Sequence, residues 1–101
     1  MRRVVVTGMG IYSCIGKNLQ EVLESLQKGK SGIGIDERRS ELGYRSKLAG
    51  LVEEPDLKGK IDRKQRITLS EQAKYAFVAS EEAMKMANVD SAFLEQNEVG
   101  I

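Results

Sequence analysis

The chain has 101 residues, and its 16 basic and 15 acidic side chains leave a net charge of +1, which gives no global pull toward nucleic acid or a membrane surface. A single cysteine excludes an intrachain disulfide and fits a reducing compartment; the lack of histidine removes the usual proton shuttle and any Cys–His or Ser–His pair within the chain. There is no apolar run of the roughly 18 residues that span a bilayer, and MRRVVVTG lacks the apolar length and cleavage site of a signal peptide, so a cytoplasmic location is expected.

In chain order, Arg3–Val6 is a β-branched run without helical spacing and reads as a short buried strand. Gly8 and Gly10 end it. Asn18 is placed to cap a helix, with Glu21 reaching back to the Asn18 amide. Leu19, Val22, Leu23 and Leu26 give an amphipathic helix over Leu19–Lys28, closed by Gly29 as a left-handed C-cap. Lys30–Gly34 reads as a turn, and Asp36–Leu42 as a short helix closed by Gly43. Ser46–Val52 is a strand candidate interrupted by Gly50, and Glu53–Lys60, with Pro55 and Gly59, is loop. Ser70–Ala87 is the longest helix. Ala73, Ala76, Phe77, Ser80, Ala83, Met84 and Ala87 fall on one small-residue face, with Asn88 following as the C′ residue. Glu98–Ile101 has the character of a strand begun and cut, which points to the N-terminal portion of a larger protein.

The glycine-rich turn at Gly8–Gly16 raises the question of a phosphate-binding loop. The dinucleotide fingerprint G-x-G-x-x-G fails at Ser13, a short-chain reductase turn fails at Tyr12, and a Walker loop fails because five residues separate Gly10 from Gly16 and Asn18 replaces the magnesium-binding hydroxyl. The turn is therefore expected to be a structural hinge between strand and helix. Cys14, flanked by Ser13 and Ile15, reads as a small packed thiol. No cofactor-binding or metal-binding residue is expected in the chain.

T-G-x-G-x-x-S-x-x-G, at Thr7, Gly8, Gly10, Ser13 and Gly16, resembles the N-terminus of the β-ketoacyl-[acyl carrier protein] synthases. The resemblance continues through Gly29–Ile33, Tyr44-Arg45-Ser46, Ile61-Asp62-Arg63-Lys64, Tyr75-Ala76-Phe77 and the strand start at Val99. The Gly-x-Arg-Ser and Ile-Asp-Arg-Lys pieces look closer to the synthase I branch than to synthase II. The resemblance implies an α/β chain with the thiolase-like fold, in which residues 1–101 form a partial N-terminal domain, the opening of the first of two α/β halves of an αβαβα sandwich. It also implies a homodimer. The implied reaction is a decarboxylative Claisen condensation of an acyl thioester with malonyl-acyl carrier protein in fatty acid elongation. The family's cysteine and two histidines lie beyond position 101, so this chain alone is expected to be catalytically silent.

Lys58, Lys60, Arg63, Lys64 and Arg66 make a basic patch with Asp62 as its single acid. Such a patch is either a solvated loop and helix start or a docking site for an acidic partner. The resemblance implies that Arg63, Lys64 and Arg45 bind acyl carrier protein. The family often has a further arginine four residues after the first, where Ile67 stands here; Arg66 is turned about 100° away from that direction on a helix. Nucleic acid is a weaker use of the patch, because no base-stacking aromatics surround it. The alternatives kept open are a non-catalytic chain-length partner, a small acidic-partner-binding module using residues 58–66, and a nucleotide-binding domain.

Overall fold

A computed structural model describes residues 1–100. Among these residues the chain forms α1 (Leu19–Gln27), β1 (Ile33–Ile35), α2 (Glu37–Glu41), β2 (Leu48–Gly50), α3 (Arg63–Thr68), α4 (Glu71–Met86) and α5 (Ser91–Gln96). Each helix starts on a side chain that takes an orphan amide. Asn18 accepts from Glu21, Asp36 from Arg38, Asp62 from Lys64, Ser70 from Ala73 and Asp90 from Phe93. Three helices close in the same way, through a residue with positive φ just past the cap: Gly29 at 63°, Gly43 at 73° and Asn88 at 55°. In α4 the Val89 amide reaches back to Met84 and the Asn88 amide to Lys85, the paired bonds of a Schellman ending.

The sheet is a two-stranded antiparallel pair, with Ile33 opposite Gly50, Gly34 opposite Ala49 and Ile35 opposite Leu48. Its flanks are tied by the Asp36 amide to the Lys47 carbonyl at 2.8 Å and the Leu51 amide to the Gly32 carbonyl at 3.1 Å. The strand expected over Ser46–Val52 is thus present but shortened to three residues. The turn expected over Lys30–Gly34 instead feeds β1.

Two other expectations are corrected. Arg3–Met9 forms no strand, and the Val4 and Val6 side chains are 94% and 81% exposed. A strand needs a ladder partner, and no described segment pairs with this one. Glu98–Gly100 is likewise unpaired, and Ile101 lies outside the described residues.

The 3–10 segment is nonetheless held on α4, and the glycines are the reason. A Cβ added to Gly8 would sit 2.1 Å from the Ala83 carbonyl oxygen, and one added to Gly10 would sit 1.7 Å from that of Ala79. Backbone therefore rests directly on helix backbone. This fixes which face of α4 is used. The expected stripe is split: Ala76, Phe77 and Ser80 are exposed, while Ala83 and Ala87 join Tyr75, Ala79 and Glu82 on the packed face.

The core is thin. Among the described residues Val22 and Leu57 are the buried apolar side chains, with Ser25 a buried polar one. The accessible surface is 8778 Å², where a compact monomer of 11.2 kDa exposes about 5,700 Å². The radius of gyration is 17.1 Å against about 12.7 Å for a compact domain of this length. The excess of about 3,000 Å² is in the range that obligate interfaces bury, and much of it is apolar: Ile33, Ile35, Leu42 and Leu48 are all exposed.

Candidate functional site

The glycine-rich turn is built around a carboxylate of its own. Glu82, on the packed face of α4, accepts the Ile11 amide on Oε2 at 3.1 Å and the Leu19 amide on Oε1 at 2.8 Å. One carboxylate thus spans the end of the N-terminal segment and the first residue of α1. Other amides of the turn are also committed. Ser13 and Gly16 exchange backbone bonds at 2.8 and 3.3 Å, the Ile15 amide donates to Ser13 Oγ, and the Lys17 amide donates to Glu21 Oε2 at 2.7 Å. Glu21 therefore reaches back one residue further than the capping box expected at Asn18. The hinge reading of the turn fits this geometry: an internal anion already occupies the amides that a phosphate would need. No local sequence signal marks it, because Glu82 lies 71 and 63 residues from Ile11 and Leu19.

Cys14 sits at the tip of this turn. A Cβ on Gly32 would lie 2.7 Å from its sulfur, and one on Gly50 would lie 3.2 Å away. The thiol is wedged under the β1–β2 pair, in keeping with a packing role. Ser25, on α1, donates to the Ile15 carbonyl beneath it. On the outer side Tyr12 stacks on Tyr75 with ring centroids 5.5 Å apart, and its hydroxyl donates to the Glu53 carbonyl at 2.7 Å. Desolvation raises the Tyr12 phenol above its ordinary range, against the opposing pull of the Lys17 charge. Lys17 and Glu53 form an ion pair. Their direct hydrogen bond, then their charges, hold the Glu53 carboxyl below its usual range and the Lys17 ammonium above its own. Both groups face water, so the pair ties the loop to the turn without contributing much stability.

The basic patch resolves into different environments. Arg63 and Lys64 open α3 and are exposed. Arg45 is exposed on the turn before β2, away from the cleft beside α3. Lys60 pairs with Glu81 of α4 at 2.8 Å. Arg63 and Arg66 come together along a cleft of about 470 Å³ between α3 and residues 54–58, where Lys74 pairs with Glu54. The first turn of α3 carries no acidic residue; its charges are Arg63 and Lys64, with Asp62 as the cap. Cations at a helix N-terminus oppose the helix dipole and cost about 0.3–1 kcal/mol each.

With this geometry in place the affiliation follows. The family model for the N-terminal domain of β-ketoacyl synthases matches residues 1–101. The chain belongs to that family. It is 42% identical over 97 residues to 3-oxoacyl-[acyl-carrier-protein] synthase 1 of Buchnera aphidicola from Acyrthosiphon pisum, covering 96% of this chain and 24% of the relative. It is 41% identical over 97 residues to the synthase 1 of Escherichia coli K12, with the same coverages. The synthase 1 of Haemophilus influenzae is 38% identical over 101 residues, all of this chain and 25% of the relative. The chain spans about a quarter of the length of these curated relatives. Among the described residues no helix is long and apolar enough to cross a membrane.

Proposed function

We propose that the protein carrying this domain is a 3-oxoacyl-[acyl carrier protein] synthase of fatty acid elongation. It joins an acyl thioester to malonyl-acyl carrier protein with loss of carbon dioxide. The observation that carries this reading is the family match along the whole chain, supported by relatives that are synthase 1 enzymes. Residues 1–101 are the opening of the first α/β half of a thiolase-like fold in a cytoplasmic homodimer. This segment supplies no catalytic side chain. It has no histidine, and Cys14 is committed to packing beneath Gly32 and Gly50. Purified full-length protein, given acyl- and malonyl-carrier protein, is expected to yield the 3-oxoacyl-carrier product by mass spectrometry. Cys14→Ser, leaving the nucleophile untouched, is expected to retain most of that activity. A failure of the wild type to condense any acyl donor overturns the reading, as does total loss of turnover in a folded Cys14→Ser variant.

The segment's part in the reaction is to receive the carrier. Arg63 and Lys64 project from the start of α3, and their charges steer and hold an acidic partner; Arg45 forms a second contact on the turn before β2. The double variant Arg63→Ala/Lys64→Ala is expected to raise KM for the carrier about tenfold with kcat nearly unchanged. The defect should shrink as salt screens the wild-type attraction. An unchanged KM at low ionic strength removes these residues from the docking surface.

A further inference from the structure

Ile33 and Ile35 stand two residues apart on β1, and Leu48 is the cross-strand partner of Ile35 on β2, so the three side chains share one face of the pair. They are 59%, 67% and 57% exposed. Gly34 and Ala49, on the other face, are half-buried, and Leu51 lies over Gly34, where a Cβ would come 2.7 Å from its Cδ1. The hairpin thus tucks its small residues in and leaves its large ones in water, the reverse of what apolar burial favours. A two-stranded hairpin is marginal on its own and needs a packed face to hold it.

Its edges are less open than its face. The ladder bonds of the flanking pairs, Leu51 to Gly32 and Asp36 to Lys47, alternate along the strands, which turns the Ile33 and Leu48 amides outward. Each already donates to a serine, Ile33 to Ser31 Oγ at 3.2 Å and Leu48 to Ser46 Oγ at 3.4 Å. A strand added at either edge would displace one of these bonds, whereas an element packing on the face displaces only water.

We propose that this face is an internal docking surface: in the full-length protein an apolar stretch of the chain after Ile101 lies across Ile33, Ile35 and Leu48. Two observations favour that occupant over a separate molecule. The chain spans about a quarter of the length of its curated relatives, so a protein of their size has far more chain to place against it. Three aliphatic side chains also fall well short of the roughly 1,200–2,000 Å² that separate molecules bury in a stable interface. A tethered segment loses less freedom on docking and holds on a smaller area. The inference goes beyond the carrier reading and does not depend on Arg45, Arg63 or Lys64.

Hydroxyl-radical footprinting of the full-length protein, read by mass spectrometry against the urea-unfolded chain, tests it. Val22, buried here, sets the scale at about tenfold slower oxidation than when unfolded. Ile33, Ile35 and Leu48 are expected to match it, at every protein concentration and without carrier protein. Slowing of less than about twofold, as their exposure here implies, overturns the proposal. Protection that falls on dilution in step with subunit dissociation assigns the face to a second copy, and protection that appears only with added carrier assigns it to the carrier; either overturns it. In Ile35→Asp, Ile33 and Leu48 are expected to lose their protection while Val22 keeps it, and Ile35→Leu is expected to restore it. Protection of Ile33 and Leu48 that survives in a folded Ile35→Asp variant overturns the proposal, and should that variant misfold, the wild-type footprint decides.

Discussion

Replacing Glu82 by alanine is expected to destabilise the domain by about 3 kcal/mol, since each hydrogen bond to a charged group contributes about 1.5–3 kcal/mol and both here are only partly buried. The carboxylate holds two amides at once, Ile11 at 3.1 Å and Leu19 at 2.8 Å. Alanine orphans both in a place where packing against α4 limits the entry of water. Glu82→Gln keeps one oxygen and should lose about half as much. Glu82→Asp, one methylene shorter, should resemble the alanine variant, because it cannot span both donors. Urea unfolding of the full-length protein checks the size of the loss through the shift in midpoint at constant slope. Amide exchange at Ile11 and Leu19 checks its location. A loss under about 0.5 kcal/mol, the noise of ordinary surface substitutions, would show that the clasp is incidental.

Gly10→Ala is expected to be the more damaging change, costing about 4 kcal/mol or more and displacing the N-terminal segment from α4. The new methyl would lie 1.7 Å from the Ala79 carbonyl oxygen and 2.7 Å from its carbon. Both are helix backbone, which cannot yield as a side chain does. Gly29→Ala is the control. Its φ is 63° but nothing surrounds the position, so it should cost only the left-handed strain of about 1–2 kcal/mol. Near-ultraviolet circular dichroism adds a local readout, because the Tyr12–Tyr75 stack depends on the same seating. Thermal stability within a degree or two of the wild type in Gly10→Ala would mean that the segment does not rest on α4 as described.

The helices were legible in the sequence because their signals are local. Asn18, Ser70, Gly29, Gly43 and Asn88 each act within a few residues of where they stand, and the observed caps and left-handed closures fall on them. Helix α5 was missed and α3 was given no bounds, although Asp90 three residues before Phe93 and Asp62 two before Lys64 are the same kind of capping signal. Strands fared worse for a physical reason. A ladder is made by two distant segments, so Val4–Val6 can carry every mark of a strand and have no partner among the described residues. Ile33-Gly34-Ile35, short and glycine-centred, pairs because residues 48–50 come back to it. The face of α4 was only half placed: small-residue periodicity found Ala83 and Ala87 but not Ala79, and the glycines opposite them decide the contact. At the candidate site, Arg63 and Lys64 were singled out by the basic run over residues 58–66 and by the family resemblance, and both are exposed at the start of α3. Arg66 was visible only as a shift in register, since the cleft it lines is shared with residues 54–58, distant from it in sequence.

The Glu82 clasp also places the glycine turn in time. A ribosome emits Ile11 and Leu19 long before Glu82, at roughly 5–20 residues per second, so the nascent turn spends several seconds with these two amides solvated by water alone. Closing a loop of 63 residues then carries an entropic cost of roughly 4 kcal/mol, which α4 must offset by docking as a preformed helix. The glycine turn is therefore made before α4 and takes its shape only after α4 has followed it.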